Sequence, residues 1–296
     1  MSFEDFRQHL EGSGRSPLTV QGYLQDLGDL ARWYRATSGQ ELRPQALSPL
    51  DVREYRQHLL AVRQLSPATV NRRLAAIRAY CRFQRGRGAM SLDPSEGIVG
   101  AVEQEHAPRW LSRQEVARLL RALEAAINGA RTEAWRRQGI RDRALVYLLL
   151  YAGLRVGELC ALELEDLELG ERTGQVLVRW GKGGKRRTVP LNGAARRALR
   201  QWLQVRPQGP SRLFLGKGGK KLTASGVQRR LQELGRQAGV ELSPHSLRHT
   251  CAKRLLEAGV SLEKVAAILG HESLDTTKVY LTPSLADLQE AVERVS

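Results

Sequence analysis

Apolar residues recur every three to four positions through the first third of the chain. Val20, Tyr23, Leu24, Leu27, Leu30, Ala31 and Tyr34 fall on one face at helical spacing. Ser-Pro pairs at 16–17, 48–49 and 66–67 each set an N-cap serine before a proline at the first helical position. Together these signals predict helices near 2–11, 17–36, 49–61 and 67–86. Tyr23, Trp33, Tyr34, Tyr55 and Tyr80 read as packing residues of the resulting bundle. Periodicity stops at 87–109, where glycine and proline recur, so this stretch contains a linker. The pattern divides the chain into a helical domain at 1–90, a linker at 91–109 and a second domain at 110–296.

The second domain opens with a capping-box pattern, Ser112 with Glu115, for a helix to about Ile127. Residues 140–151 are apolar nearly all round, as in a buried central helix. The segments 175–180 and 186–191 flank the glycine-rich turn 181–185, which predicts an antiparallel hairpin. Further helices fit 193–205, 223–238, 244–258, 261–269, 273–281 and 284–295, with Gly259 and Gly270 placed as C′ glycines. The expected fold class is mainly α: a helical bundle, then a mostly helical domain with a small antiparallel β-sheet. The last helix carries an apolar stripe of Leu285, Leu288, Val292 and Val295. A helix this short is marginal alone, so the stripe must dock on something.

Charge changes the picture. The chain has 296 residues with 47 basic and 31 acidic groups, a net +16, which points to a polyanionic partner. Residues 1–105 hold 14 basic and 12 acidic groups, or +2, and residues 106–296 hold 33 and 19, or +14. The first domain still has a concentrated run: Arg72, Arg73, Arg78, Arg82, Arg85 and Arg87 lie between Ser66 and Gly88 with no acid among them. No apolar run approaches the ~20 residues of a membrane span, and no signal peptide precedes the first helix. Cys81, Cys160 and Cys251 have no pairing pattern and read as reduced thiols of a cytoplasmic protein.

Six residues carry the candidate chemistry: Arg155 in GLRVGEL, Lys182 in GKGGKRRTVP, His245 and Arg248 in SPHSLRH, and His271 and Tyr280 in ILGHESLDTTKVY. Arginines grip phosphate oxygens bidentately, a tyrosine can attack phosphorus, and lysine and histidine can move protons. Each has a plainer reading. Arg155 could pair with Glu158, Lys182 could be a solvated turn residue, and His271 a surface cap. His245 and His249, at i and i+4, could bind zinc with His271 as a third ligand. The sequence lacks the HExxH arrangement and a nearby cysteine cluster, so no metal is expected.

In the order R…K…HxxRH…H…Y the chain resembles the tyrosine site-specific recombinases, most closely their Xer-like members, from about residue 2 to the C-terminus. The resemblance implies a DNA strand transferase that cuts and rejoins strands through a 3′-phosphotyrosyl bond, with no ATP, metal or other cofactor. Tyr280 would be the nucleophile, Arg155 and Arg248 the phosphate clamp, and His245 a general acid/base. Lys182 would protonate the leaving 5′ oxygen, and His271 would bond the non-bridging oxygen or the nucleophile. Glu158 would orient the site from behind, and His249 would be structural. Arg72, Arg73, Arg78, Arg82, Lys185, Arg186, Lys217 and Lys220 are expected at DNA. Lys217 sits in a second GKGG and rivals Lys182. Residues 127–141 look like a short basic insertion. The implied partner is duplex DNA with paired half-sites, bound by a homotetramer that exchanges tails. A second recombinase or accessory protein stays open, and no membrane is involved. A type IB topoisomerase-like enzyme and a non-catalytic architectural DNA-binding protein are the rival classes.

Overall fold

The computed structural model describes residues 3–103, 109–179, 186–271, 273–281 and 292–293. They form two compact units, divided between His106 and Ala107.

The first unit contains α1 (Glu4–Gly12), α2 (Pro17–Ser38), α3 (Pro49–Gln57) and α4 (Pro67–Gly86). All three Ser-Pro pairs start helices. The hydroxyls of Ser16, Ser48 and Ser66 accept the backbone N–H of Thr19, Asp51 and Thr69 at 3.2, 3.2 and 3.4 Å. Helix α3 passes into a π-turn at His58–Val62. Leu27, Leu30, Val52, Tyr55, Leu59, Leu74, Ile77 and Tyr80 meet in one core. The stretch read as a linker is not free chain up to 103. Ile98 and Ala101 join that core, and the Asn71 amide donates to Ala101 O at 2.9 Å and accepts its N–H at 2.7 Å.

The arginine run on α4 also differs from expectation. Its missing acids come from α2. Arg73 pairs with Asp29 and donates to Tyr55 Oη at 3.0 Å, and Arg72 pairs with Asp26. The Arg73 side chain is only 13% exposed and is spent on these partners inside the bundle. Arg78 donates to the carbonyl of Ile98. Arg82 is exposed and, among the described residues, reaches no acid and donates to the carbonyl of Arg78 at 3.4 Å. A buried cation needs a partner, and here tertiary packing supplies it.

The second unit runs α5 (Arg113–Asn128), α6 (Glu133–Tyr151), α7 (Val156–Ala161), β1 (Leu167–Leu169), β2 (Gly174–Val178), β3 (Arg187–Pro190), α8 (Gly193–Val205), α9 (Ala224–Ala238), α10 (Pro244–Glu257), α11 (Leu262–Leu269) and α12 (Asp275–Lys278). The sheet is antiparallel in the order β1-β2-β3, with Val176 opposite Val189. β1 is too short to show a pattern in sequence. Helix α6 starts earlier than its apolar run, because Thr132 caps it by accepting the Trp135 N–H at 3.2 Å. Residues 133–141 of the stretch read as an insertion are therefore its first turns. Leu145, Leu148 and Leu149 of α6 lie at the centre of the larger core, against α5, α8 and α10. Cys81, Cys160 and Cys251 are free, buried thiols, and burial pushes them up to about 12, 11 and 12. The tail helix expected at 284–295 lies outside the described residues, apart from the helical pair at 292–293.

Candidate active site

The site is organised by one helix end. Helix α11 stops at Gly270, whose φ of +68° is open to glycine and costly for other residues. The last carbonyls of a helix have no intrahelical donor and lie at its negative end. Two of them are satisfied by the chain turning back: Gly270 N–H donates to Ala267 O at 3.2 Å and His271 N–H to Ala266 O at 3.0 Å. The next three each take an arginine. Arg187 Nε donates to Ile268 O at 3.0 Å, Arg248 Nη2 to Leu269 O at 2.7 Å, and Arg155 Nη2 to Gly270 O at 2.8 Å. Arginines 81, 21 and 115 positions away in sequence are thus gathered by three consecutive peptide groups.

Each arginine arrives on a different element. Arg155 is the N-cap of α7, following the apolar end of α6 and the turn at Gly153. Arg248 lies one turn into α10, which Ser243 caps and Pro244 starts, and its Nη1 also donates to Gly153 O. Arg187 opens β3. Glu158 is the shared anion. It accepts Arg155 N–H at 2.8 Å, Arg155 Nη1 at 2.9 Å, and both Arg187 Nη groups at 2.8 Å. Burial would raise the Glu158 carboxyl, but the Arg187 and Arg155 bonds prevail and hold it low.

Three guanidiniums against one carboxylate leave +3 − 1 = +2 at the centre. That surplus marks its neighbours. Burial, then Arg155, pushes Arg248 down to about 10. Burial, then Arg248 and Arg155, pushes His271 down to about 4. Burial, then His245 and Arg248, does the same to His249. Both imidazoles are therefore neutral at pH 7, and the site is short of negative charge. Tyr280 is 4% exposed, in the turn after α12. Burial raises its phenol above the usual range, opposed by Arg248 and Arg155. Its hydroxyl lies 2.6 Å from His249 Nδ1, and His271 Nδ1 lies 2.7 Å from Thr277 Oγ1. His245 is exposed and, with His249, lines a cleft of about 890 Å³ that Arg109, Gln228, Gln232 and Arg236 also border.

Of the residues singled out in sequence, Arg155, Glu158, Arg248, His249, His271 and Tyr280 come together, with His245 one helical turn from His249. His249, read as structural, is the group in contact with the phenol. Lys182 and Lys185 lie outside the described residues. Arg186 is exposed at the start of the return strand. Lys217 opens a tight turn that closes the single bridge between Leu215 and Lys221, so this GKGG reverses the chain without two full strands. Lys220, in the same turn, is exposed. Arg187 was missed. Strand alternation could have found it, because Arg187 shares its phase with the buried Val189 and Leu191, whereas Arg186 has the opposite phase. Among the described residues no group of three or more His, Cys, Asp or Glu could hold a metal ion.

Residues 109–286 match the phage integrase family, and residues 3–88 match the phage integrase N-terminal SAM-like domain. The chain is similar to the tyrosine recombinase XerC of Corynebacterium glutamicum, 34% identical with 98% of this chain and 90% of that one covered. It is also similar to the tyrosine recombinase XerD of Caulobacter vibrioides, 36% identical over 88% of this chain and 85% of that one. In fold it resembles the XerH site-specific recombinase bound to difH in a post-cleavage complex, with a TM-score of 0.73, 23% identity, and 94% and 80% of the two chains covered. A lambda integrase dimer bound to a core site gives a TM-score of 0.70 at 16% identity, covering 94% and 93%.

Proposed function

The chain belongs to the phage integrase family of tyrosine recombinases, enzymes of site-specific DNA cleavage and rejoining, and on that premise we propose how its residues divide the reaction. Tyr280 Oη attacks the scissile phosphorus and passes its proton to His249, whose Nδ1 lies 2.6 Å away. A phosphotyrosyl bond forms at the 3′ side, the bond from phosphorus to the 5′ oxygen breaks, and Lys182 gives that oxygen its proton. A 5′ hydroxyl from a partner strand then attacks the phosphotyrosine and releases Tyr280. The number of phosphoester bonds is conserved, so no ATP is consumed.

The observation that carries this reading is the arginine-capped end of α11. Arg155 and Arg248 each commit two of five guanidinium N–H groups to acceptors among the described residues. The rest remain for phosphate oxygens, in an orientation already fixed by carbonyls and Glu158. A phosphodiester brings the negative charge this +2 centre lacks, and the charge grows as the phenol bonds to phosphorus. Fixed guanidiniums aimed at developing charge are an efficient form of catalysis because they need no reorganisation. His249 and His271, neutral at rest, can accept protons as that charge arrives.

Duplex DNA is the substrate in this reading. The exposed Arg82, with Arg186, Lys217 and Lys220, would meet its phosphates. A ring of four protomers that pass the 284–295 tail from one to the next would synapse two sites. Among the described residues no helix is long and apolar enough to cross a membrane. The test is covalent capture. A randomised pool of nicked duplexes is incubated with the full chain, and adducts are recovered from denaturing gels and sequenced. Wild type should trap DNA through a 3′ phosphate. Tyr280→Phe should bind the selected duplex equally and trap none. An adduct formed by Tyr280→Phe would move the nucleophile to another residue.

A further inference from the structure

Resting on that division of roles, we propose that Arg187 is a positioning residue for strand cleavage: it holds Arg155 ready for phosphate by taking up most of the Glu158 carboxylate.

Three observations lead there. First, Arg187 makes three bonds from Nε, Nη1 and Nη2, and its side chain is only 13% exposed. Arg155, at 30% exposed, is the more open of the two guanidiniums that Glu158 binds. Second, it spans Glu158 with both Nη groups at 2.8 Å, one to each oxygen. Such a fork-to-fork pair is the strongest and most directional that a carboxylate makes. Glu158 therefore has a full partner and needs only one guanidinium N–H from Arg155. Third, its Nε–H reaches Ile268 O, and its guanidinium atoms lie 2.8–2.9 Å from where a Cβ on Gly270 would stand. Glycine at 270 thus serves two ends: it takes the positive φ that ends α11, and it leaves room for the arginine beneath the turn that carries His271.

Consider the site without Arg187. The Glu158 side chain is 3% exposed and would be left with Arg155 as its nearest cation. A buried carboxylate draws its surviving partner closer. Arg155, 30% exposed and attached to a surface-facing N-cap, is the group that can move. It would turn both of its Nη groups inward, and the centre would fall from +2 to +1. The phosphate would lose charge and alignment together. Arg187 thus acts through Arg155, without touching the reacting atoms.

The experiment uses the full chain on the duplex recovered by covalent capture, in single-turnover adduct formation, with duplex affinity and thermal midpoint measured in parallel. Arg187→Gln should slow adduct formation by roughly 10²-fold, the scale of a misplaced catalytic group. Affinity for the duplex should be unchanged. The defect should persist on a duplex with sulfur at the 5′-bridging position, because a thiolate leaves without a proton and this substrate relieves only a lost acid. Adding Glu158→Gln should restore most of the rate, since the unpaired carboxylate is then gone. Arg187→Lys keeps the charge but not the fork and should be impaired in the same manner; it carries the test if Arg187→Gln does not fold. Rescue on the sulfur duplex would overturn the proposal by assigning Arg187 to the lysine hairpin. A double variant no faster than Arg187→Gln would overturn it as well. Wild type and Tyr280→Phe in the same series separate this failure from that of the underlying reading, which fails only if wild type gives no adduct or Tyr280→Phe does.

Discussion

Gly153→Ala tests whether the turn before Arg155 is built for glycine and whether Arg248 depends on it. Gly153 has φ of +61°, and a Cβ there would stand 2.5 Å from Leu269 Cδ2 and 3.2 Å from Cys251 Sγ. Holding an alanine in the left-handed region costs about 1–2 kcal/mol. Forcing a methyl between the packed Leu269 and Cys251 costs about 1–3 kcal/mol more. The sum is about 2–5 kcal/mol, and at about 2–4 °C per kcal/mol for a domain of 150–250 residues the midpoint should fall by about 4–20 °C. Gly153 O is also an acceptor of Arg248 Nη1, and Leu269 O is the other. Relief of the clash moves one or both, so adduct formation at 25 °C should drop further than the loss of folded protein explains. Thermal melting gives the first quantity, and single-turnover adduct formation at a temperature where the variant is fully folded gives the second. A midpoint unchanged from wild type would refute the strain argument. Full activity in a folded variant would refute the dependence of Arg248 on this turn.

The first unit separates buried from exposed arginines. Arg73→Ala leaves Asp26 to Arg72 and Asp29 to Arg32 and Tyr55, and should destabilise by about 1–3 kcal/mol, seen as a lower denaturant midpoint. Arg82→Ala should leave that midpoint in place and flatten the dependence of log Kd on log salt by about 0.9; the opposite pattern would mean that the two residues have been assigned in reverse. His249 and His271, pushed down to about 4 in the fold, stay near 6.5 in the unfolded chain. Between those values the unfolded chain binds more protons, so stability is full above about pH 6.5 and declines as pH falls toward 4. His271→Asn should reduce the slope of thermal midpoint against pH in that window, and an unaltered slope would contradict the cause given. Deleting 284–296 should preserve binding to a single half-site and abolish assembly of four protomers, as read by sedimentation. Four-protomer complexes of the truncated chain would place the tail on its own domain.

The charge-bearing centre shows how far local signals reach. Arg155, Arg248 and His271 were legible because each sits in a short segment with its own turn or cap signal. Gly153 precedes Arg155, Ser243-Pro244 opens the helix of Arg248, and Gly270 closes the helix before His271. Helix starts at Ser16, Ser48, Ser66 and Ser112 were legible for the same reason: a cap is a contact between residues three apart, and the chain states both partners side by side. Such interactions depend on a few dihedral angles and little else.

What the chain order concealed are partnerships across distance. The run from Arg72 to Arg87 contains no acid, and only packing of α4 on α2 brings Asp26 and Asp29 to Arg72 and Arg73. Arg187 stands 29 residues from Glu158 and 81 from Ile268, and nothing local distinguishes it from Arg186 except the phase of one short strand. The contact between His249 and Tyr280 likewise needs α10 and the turn after α12 in place. Sequence determines which residues can grip a phosphate, because that is a property of side-chain chemistry. Tertiary structure decides which of them do and which brace the others, because three unsatisfied carbonyls and one buried carboxylate must be matched with donors from wherever the fold delivers them.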